Sequence, residues 1–379
     1  MRPSGIGGQA VIEGVMMKNK DEYAIAVRKP DNEIEVVNQT HTSLTTKNKF
    51  FALPIVRGVI AFVDSLVIGM KTITYSASFY EEEEELTEKQ KEKKAKKEAK
   101  KEAKKESSGK AKKEEKESSD TLFMALTVCL SVVLAVGIFI LLPLWISALL
   151  TKQIESNTVL AILEGLIRLG IFVIYIVAIS QMKDIQRVFM YHGAEHKTIN
   201  CIEHGHELTV ENVRTQSREH KRCGTSFLLF VIIISSIVFI FIRFDNILVK
   251  TLARLLLVPV IAGISYEVIK LAGKSESKLV AIISRPGMWM QRLTTKEPTD
   301  DMIEVAIKSV EAVFDWRAFL QEEEVGSEVS TSEESITVMQ EKPMVEETAA
   351  TMEYNDFFEE EEEDEILRAV DKYFISKDK

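Results

Sequence analysis

Four long apolar runs constrain this chain more than any other feature of its sequence. They lie at roughly 121–150, 157–180, 226–243 and 247–272. A helix of about 20 mostly apolar residues is long enough to cross the hydrocarbon core of a bilayer. A soluble core can bury one such helix, but four of them indicate a membrane protein. We therefore predict a mainly α, polytopic membrane protein with about four transmembrane helices in the region 121–285.

The charges of the connecting loops predict the orientation of these helices. The loop 151–156 carries one basic residue, Lys152, whereas the loop 181–225 and the segment after the fourth run are rich in lysine and arginine. Cytoplasmic loops are enriched in these residues. We expect a multi-pass protein of the cell membrane with both termini and the His-rich loop 181–225 in the cytoplasm. The lipid bilayer is the partner that this pattern indicates.

The net charge of −10 does not indicate a nucleic-acid partner. Many of the Asp and Glu residues lie in the tail 321–379, so the net charge of the whole chain says little about the charge of any local surface. We predict that the tail is disordered, because it is acidic and rich in Ser and Thr. The segment 81–120 is almost entirely Glu, Lys, Ala and Ser, and we predict a charged, low-complexity linker there.

Three further segments are predicted to be cytoplasmic or interfacial. In the N-terminal region 1–49, "YAIAVR" and "EIEVVNQT" flank "KPDN", a pattern typical of a β-hairpin. The segment 50–80 places charged residues every seven positions on one helical face, which predicts an amphipathic helix that lies on the membrane or packs on other spans. A fifth span is the weaker alternative. The segment 286–320 is predicted to contain a cytoplasmic helix with an apolar face.

Ionisable residues occur inside two of the apolar runs. Glu164 and Arg168 are four residues apart and can form an ion pair on one helical face. Arg254 and Glu267 lie in the fourth run. Intramembrane charges often mark a pathway or a site, but a structural ion pair is the preferred interpretation for Glu164 and Arg168.

The stretch "YHGAEHKTI", residues 191–199, is the first candidate site. On a helix, His192 and His196 are one turn apart and face the same way, so that their imidazoles can bind one metal ion. Glu195 lies beside them as a candidate general base or ligand, and "HGAEH" fits the H-x-x-E-H pattern of inverted zinc peptidases. The alternative is a polar helix whose histidines form hydrogen bonds at a membrane surface.

A second candidate group follows in "EHKRC". His220 and Cys223 are three residues apart and both are good zinc ligands. The apolar runs on either side return this segment to the same membrane surface as "HGAEH". The intervening "EHGHEL", with Glu203, His204 and His206, is more typical of a polar turn.

The chain also resembles a known family. The segments that carry the resemblance are "GGQAVIEGVMM", "LPIVRGVIAFVDSLVIGMK", "YHGAEHKTI", "ELTVENVRTQSREHKRCGTSF", "SYEVIK" and "PGMWMQRLTTKEPTDDMIEVAI", which together span most of residues 5–315. They are similar to the YqhQ-type bacterial membrane proteins, a group described as predicted metal-dependent enzymes. The resemblance implies an integral membrane location and a suspected metal site, and it implies no substrate.

These observations predict a cytoplasm-facing metal site in a metal-dependent hydrolase. The predicted ligands are His192, His196, His220 and Cys223, the predicted catalytic base is Glu195, and zinc is the divalent transition metal that best suits imidazole and thiolate. The substrate is open: peptide, ester and phosphate bonds all suit this chemistry.

Two non-enzymatic alternatives remain at this point. In one, four ligands close a structural metal site in a membrane scaffold that recruits a protein partner. In the other, the intramembrane charges line a path in a transport assembly, which requires a homo-oligomer because four spans are few.

Overall fold

The molecule, a computed structural model, is described for residues 3–46, 49–80, 126–242, 244, 246–274 and 277–321. The predicted linker 81–120 and the predicted tail, apart from its first residue, lie outside these described residues.

The N-terminal region is a four-stranded antiparallel meander. Its strands are β1 (Gly7–Val11), β2 (Gly14–Asn19), β3 (Glu22–Arg28) and β4 (Ile34–Thr40), paired in the order β1-β2-β3-β4. Each of the three loops contains a residue with positive φ: Glu13 at 50°, Lys20 at 52° and Asn32 at 68°. The predicted hairpin is the β3–β4 pair. The β1–β2 pair was not predicted, because glycine has a low strand propensity and masks the alternating pattern.

The rest of the described chain is mainly helical. The helices are α1 (Val56–Ser78), α2 (Leu126–Leu149, with a π-helical segment at Gly137–Leu141), α3 (Asn157–Ile179), α4 (Lys183–Glu203), α5 (Val210–Thr215), α6 (Gly224–Ile240), α7 (Ile247–Lys274), α8 (Lys278–Thr294) and α9 (Asp300–Glu311), followed by a short helix at 316–321. Among the described residues, α2, α3 and α7 are long and apolar enough to cross a membrane, and α6 is a shorter apolar helix. Three of the four predicted spans therefore meet the length criterion, and the fourth stays a prediction.

The sheet lies between two helical layers. One face carries Val15, Met17 and Ala24 into a core shared with α4 and α9, and the Ser309 hydroxyl of α9 donates to the Ala24 carbonyl at 3.1 Å. The other face packs on the C-terminal half of α1 through Ile68. Helix α4 is thus fixed to the sheet on one side, and it carries the predicted site.

Helix α1 differs from a typical surface helix of a soluble protein, because several of its large apolar residues are exposed. Its buried face consists mainly of small and polar residues, and its exposed face carries the large apolar residues Val63, Leu66, Val67, Met70 and Ile73 beside Ser65, Lys71 and Thr74. Two of the three charged residues predicted to share a face form contacts within the molecule: Arg57 forms two hydrogen bonds, of 2.8 and 2.7 Å, with Glu267 of α7, and Asp64 accepts a hydrogen bond from Ser43 at 2.6 Å. The third, Lys71, is exposed. An exposed stripe that is mostly apolar marks a surface that is covered by something other than water.

A buried ion cluster connects the apolar helices. The Glu164 carboxylate accepts hydrogen bonds from Arg168 at 2.8 Å and from Arg254, one of the latter at 3.0 Å. The three residues are 2%, 3% and 0% exposed, and the Phe239 ring of α6 lies against both guanidinium groups. Arg168 also donates to the Phe139 carbonyl of α2 at 2.9 Å. The predicted pair is therefore part of a larger cluster that joins α2, α3, α6 and α7.

Replacing Glu164 with Gln should destabilise the apolar helices strongly. The substitution leaves two buried guanidinium groups without a counter-charge, and removing one partner of a buried ion pair costs about 3–5 kcal/mol. We expect a clear fall in the thermal unfolding midpoint of the full-length protein in detergent. Glu155→Gln, in the exposed loop between α2 and α3, is the matched control. Equal midpoints for the two variants would show that the cluster contributes little.

Candidate metal centre

Helix α4 continues without interruption through "HGAEH". His192 and His196 therefore lie on one helical face, with their ring centroids 4.4 Å apart. Gly193 allows a neighbouring segment to approach the helix closely, because a Cβ atom there would overlap the carbonyl oxygen of Lys296. The Lys296 amide donates to the Phe189 carbonyl at 2.8 Å, which fixes that approach. The glycine that weakens the helix locally is thus required by packing.

The segment before α6 folds back across α4 and delivers Cys223. The Asn200 side chain of α4 donates to the carbonyls of Ser217 at 2.7 Å and Glu219 at 3.0 Å. Cys223 is the N-cap residue of α6, and its Sγ atom lies 3.3 Å from Nε2 of His192. Ligand atoms of His192, His196 and Cys223 all lie within 4.8 Å of one another.

Main-chain carbonyls orient both imidazoles. Nδ1 of His192 donates to the Thr294 carbonyl at 2.8 Å, and Nδ1 of His196 donates to the Arg218 carbonyl at 2.6 Å. A ring nitrogen that donates to a carbonyl carries a proton, so Nε2 is the ring nitrogen that can bind a metal once it carries no proton of its own. This outer contact is typical of metal-ligating histidines.

The three side chains interact strongly in the absence of a metal. Burial raises the pKa of the Cys223 thiol, but His192 and His196 outweigh it and hold that pKa well below its ordinary value. Burial lowers the pKa of His192, but the adjacent Cys223 raises it to about 9. The group therefore favours a Cys223 thiolate beside a His192 imidazolium. A metal cation that displaces the imidazolium proton would bind a cysteine that is already deprotonated.

Glu195 lies beside this group, and one of its carboxylate oxygens has no hydrogen-bond partner among the described residues. Its side chain is 5% exposed, and its Oε2 atom accepts no hydrogen bond from the described residues. Burial raises the pKa of the Glu195 carboxyl, and the neighbouring His192 and His196 lower it in part. A buried polar atom without a partner costs free energy, so it is a common mark of a site that holds a ligand or a reacting group.

His220 lies next to the group but outside it. Its ring centroid is 5.7 Å from that of His196, and its Nε2 atom is 3.4 Å from Oε2 of Glu203. Glu203 also accepts hydrogen bonds from the amide and hydroxyl of Ser4, both at 2.8 Å, and from Arg222. Burial raises the pKa of Glu203, but His220 and Arg222 lower it to about 2. Of the four predicted ligands, three are brought together and His220 is held by Glu203.

The N-terminal segment also reaches this region, which the sequence analysis did not predict. Ser4 binds Glu203, and a Cβ atom on Gly8 of β1 would lie 2.8 Å from the Glu195 carboxyl group. The glycines of "GGQAVIEGVMM" permit close backbone approach, but nothing in that motif specifies the partner. His204 caps α4 through a hydrogen bond to the Asn200 carbonyl at 2.7 Å and lies outside the three-residue group, as does His206.

Comparison with known proteins places the chain in a family. Residues 53–316 match the family described as "Protein of unknown function (DUF1385)". The chain is 35% identical over 312 residues to "Uncharacterized protein YqhQ" of Bacillus subtilis (strain 168), covering 81% of this chain and 91% of that relative. No solved structure matches the chain, and neither description mentions a metal or an activity. Since the match covers more than half of the chain, the protein belongs to the YqhQ-type family DUF1385.

Proposed function

We propose that this chain is a membrane-embedded, metal-dependent hydrolase. His192, His196 and Cys223 are its metal ligands and Glu195 is its base. The observation that carries the proposal is a buried carboxylate oxygen without a partner beside three convergent ligand side chains. Either feature alone is common in proteins, whereas their combination is typical of a reaction centre.

The donor set fits zinc. Zinc binds imidazole nitrogen at about 2.0–2.1 Å and thiolate sulfur at about 2.3 Å. In a tetrahedral site these bond lengths separate N and S by about 3.6 Å, close to the 3.3 Å between Nε2 of His192 and Sγ of Cys223. Three protein ligands are typical of catalytic zinc, and four are typical of structural zinc. The contact of His220 with Glu203 supports the three-ligand arrangement over the structural alternative.

Each residue has a defined task in hydrolysis. A bound zinc ion supplies Lewis acidity and makes a water molecule acidic near neutral pH. Glu195 accepts a proton from the attacking water at Oε2 and returns it to the leaving group. Its raised pKa suits both steps, because a general base works best when its pKa lies near the working pH. Thr294 and Arg218 hold the two imidazoles in place through their carbonyls.

A metal-free cysteine hydrolase is a second candidate. The 3.3 Å contact between Cys223 and His192 resembles a nucleophile and its base, with the Thr294 carbonyl as the orienting group.

The contacts of the intramembrane charges give less support to a transport path. Glu267 pairs with Arg57, and it lies 13 residues from Arg254 along α7, or about 20 Å, so the two charged groups are separate.

We further propose four membrane crossings, with α6 as the fourth, and a cytoplasmic centre. Helix α6 has 17 residues, the lower limit for a span, and it packs along α3, α7 and α8. Arg222, before α6, contacts Gly273 at the end of α7, so these helix ends lie together near the centre. The loop at 150–156 carries a single basic residue, Lys152, as expected for a loop on the outer side of the membrane.

Metal content tests the hydrolase proposal directly. The full-length protein should purify with about one equivalent of zinc, and His192→Ala, His196→Ala or Cys223→Ala should lose most of it. His220→Ala should retain zinc, and so should Glu195→Gln, which removes only the base. His204→Ala, at the end of the same helix, is the matched control. Metal-free wild-type protein would leave the cysteine hydrolase as the better candidate.

Cysteine labelling tests the topology. Glu155→Cys should react with an impermeant maleimide on intact cells, measured against the parent chain. His206→Cys, in the exposed turn after α4, should react only after the membrane is permeabilised. The reverse pattern would place the centre on the outer side and contradict the proposed orientation.

A further inference from the structure

Strand β1 forms a free edge of the sheet. It pairs only with β2 among the described strands, and Gly7 and Gly8 are exposed. The β1–β2 hairpin is closed by the Val11–Gly14 pair. Because hydrogen-bonded and non-bonded pairs alternate along an antiparallel ladder, the amide and carbonyl groups of Gly8 and Ala10 point away from β2. No hydrogen bond among the described residues reaches these groups.

This edge lacks the features that normally prevent strand addition. Proteins protect free edges with lysine, proline, bulges or a covering loop. The first two residues of β1 have no side chain at all, and Gln9 turns towards Gly69 of α1, where its amide fills the space that a Cβ atom would occupy. At the outward side of this edge, Gly8 is exposed and Ala10 is half-buried.

The free edge passes directly beside the candidate centre. A Cβ atom on Gly8 would lie 2.8 Å from Cγ, Cδ and Oε1 of Glu195, so β1 and the carboxylate are in contact. Glu195 in turn lies directly before His196 and three residues after His192 on the same continuous helix. A paired strand lies about 4.8 Å from its neighbour. A segment bound beside β1 would therefore lie about 4.8 Å from Gly8, which itself contacts the Glu195 carboxylate.

We propose that an extended polypeptide binds as a fifth strand beside β1 and is the substrate class of the centre. A polypeptide presents amide and carbonyl groups with the two-residue repeat of Gly8 and Ala10, as in other cases of strand addition. A lipid ester or a phosphate ester cannot form this ladder. The substrate assignment rests on the proposed hydrolase. In the reaction, the amide C–N bond breaks, the water oxygen bonds to the acyl carbon, and the proton taken by Glu195 passes to the leaving nitrogen.

Proline substitution on the edge strand tests this binding mode. Ala10→Pro removes an outward amide and places the ring in the path of an added strand, while the ladder to β2 keeps its bonds. Val36→Pro is the matched control, because Val36 is an exposed, outward-facing residue on β4, the opposite edge of the sheet. Both variants are made in full-length protein that also carries Glu195→Gln, so that a bound chain is not cleaved.

The probe is reduced, fluorescein-labelled casein, which has little stable structure, and binding is measured by fluorescence anisotropy in detergent. We expect casein to bind the Glu195→Gln protein, Ala10→Pro to weaken binding by about tenfold or more, and Val36→Pro to leave it unchanged. Absence of binding, or equal binding by both proline variants, would overturn the proposal. The zinc content of the same samples is read separately, so failure of the hydrolase proposal and failure of edge binding are distinguishable.

Discussion

Two segments of the chain pack across helix α4 and hold the side chains of the candidate centre in place. The side chain of Asn200 holds the segment that ends at Cys223, and the close approach at Gly193 holds the segment that includes Thr294 and Lys296. Without the first contact the thiol has no fixed position relative to the imidazoles. Without the second, the ring of His192 loses the carbonyl that orients it. A rigid outer layer of this kind is what keeps ligand side chains ready for a metal.

The position of the centre follows from how the apolar helices meet the sheet. The Glu164–Arg168–Arg254 cluster ties α3 and α7 together within the apolar region, while the Arg57–Glu267 pair ties α7 to α1. Helix α1 then packs on the sheet through Ile68 and presents an apolar stripe outward. The sheet and α4 therefore bring the free edge of β1 and the Glu195 carboxylate together.

Local patterns predicted the parts of this structure that depend on short sequence spacing. The four-residue interval placed His192 and His196 on one face because α4 is helical throughout that stretch. The three-residue interval between His220 and Cys223 does not put the two side chains on one helical face, because the chain is not helical before α6 begins at Gly224. The two side chains therefore take different directions, one to Glu203 and one to His192. The Glu164–Arg168 pair was predicted from its four-residue interval. The second partner of Glu164, Arg254, and the neighbour of Glu195, Gly8, could not be predicted, because they come from distant parts of the chain.

X-ray absorption at the zinc edge of the full-length protein distinguishes a catalytic centre from a structural one. We expect a four-coordinate ion with one sulfur at about 2.3 Å, two imidazole nitrogens at about 2.0–2.1 Å and one further light atom that is not an imidazole. In Cys223→Ala protein loaded with zinc, the sulfur signal should disappear. A third imidazole in the wild-type spectrum would mean that His220 closes the site, which would contradict the catalytic account and support a structural one.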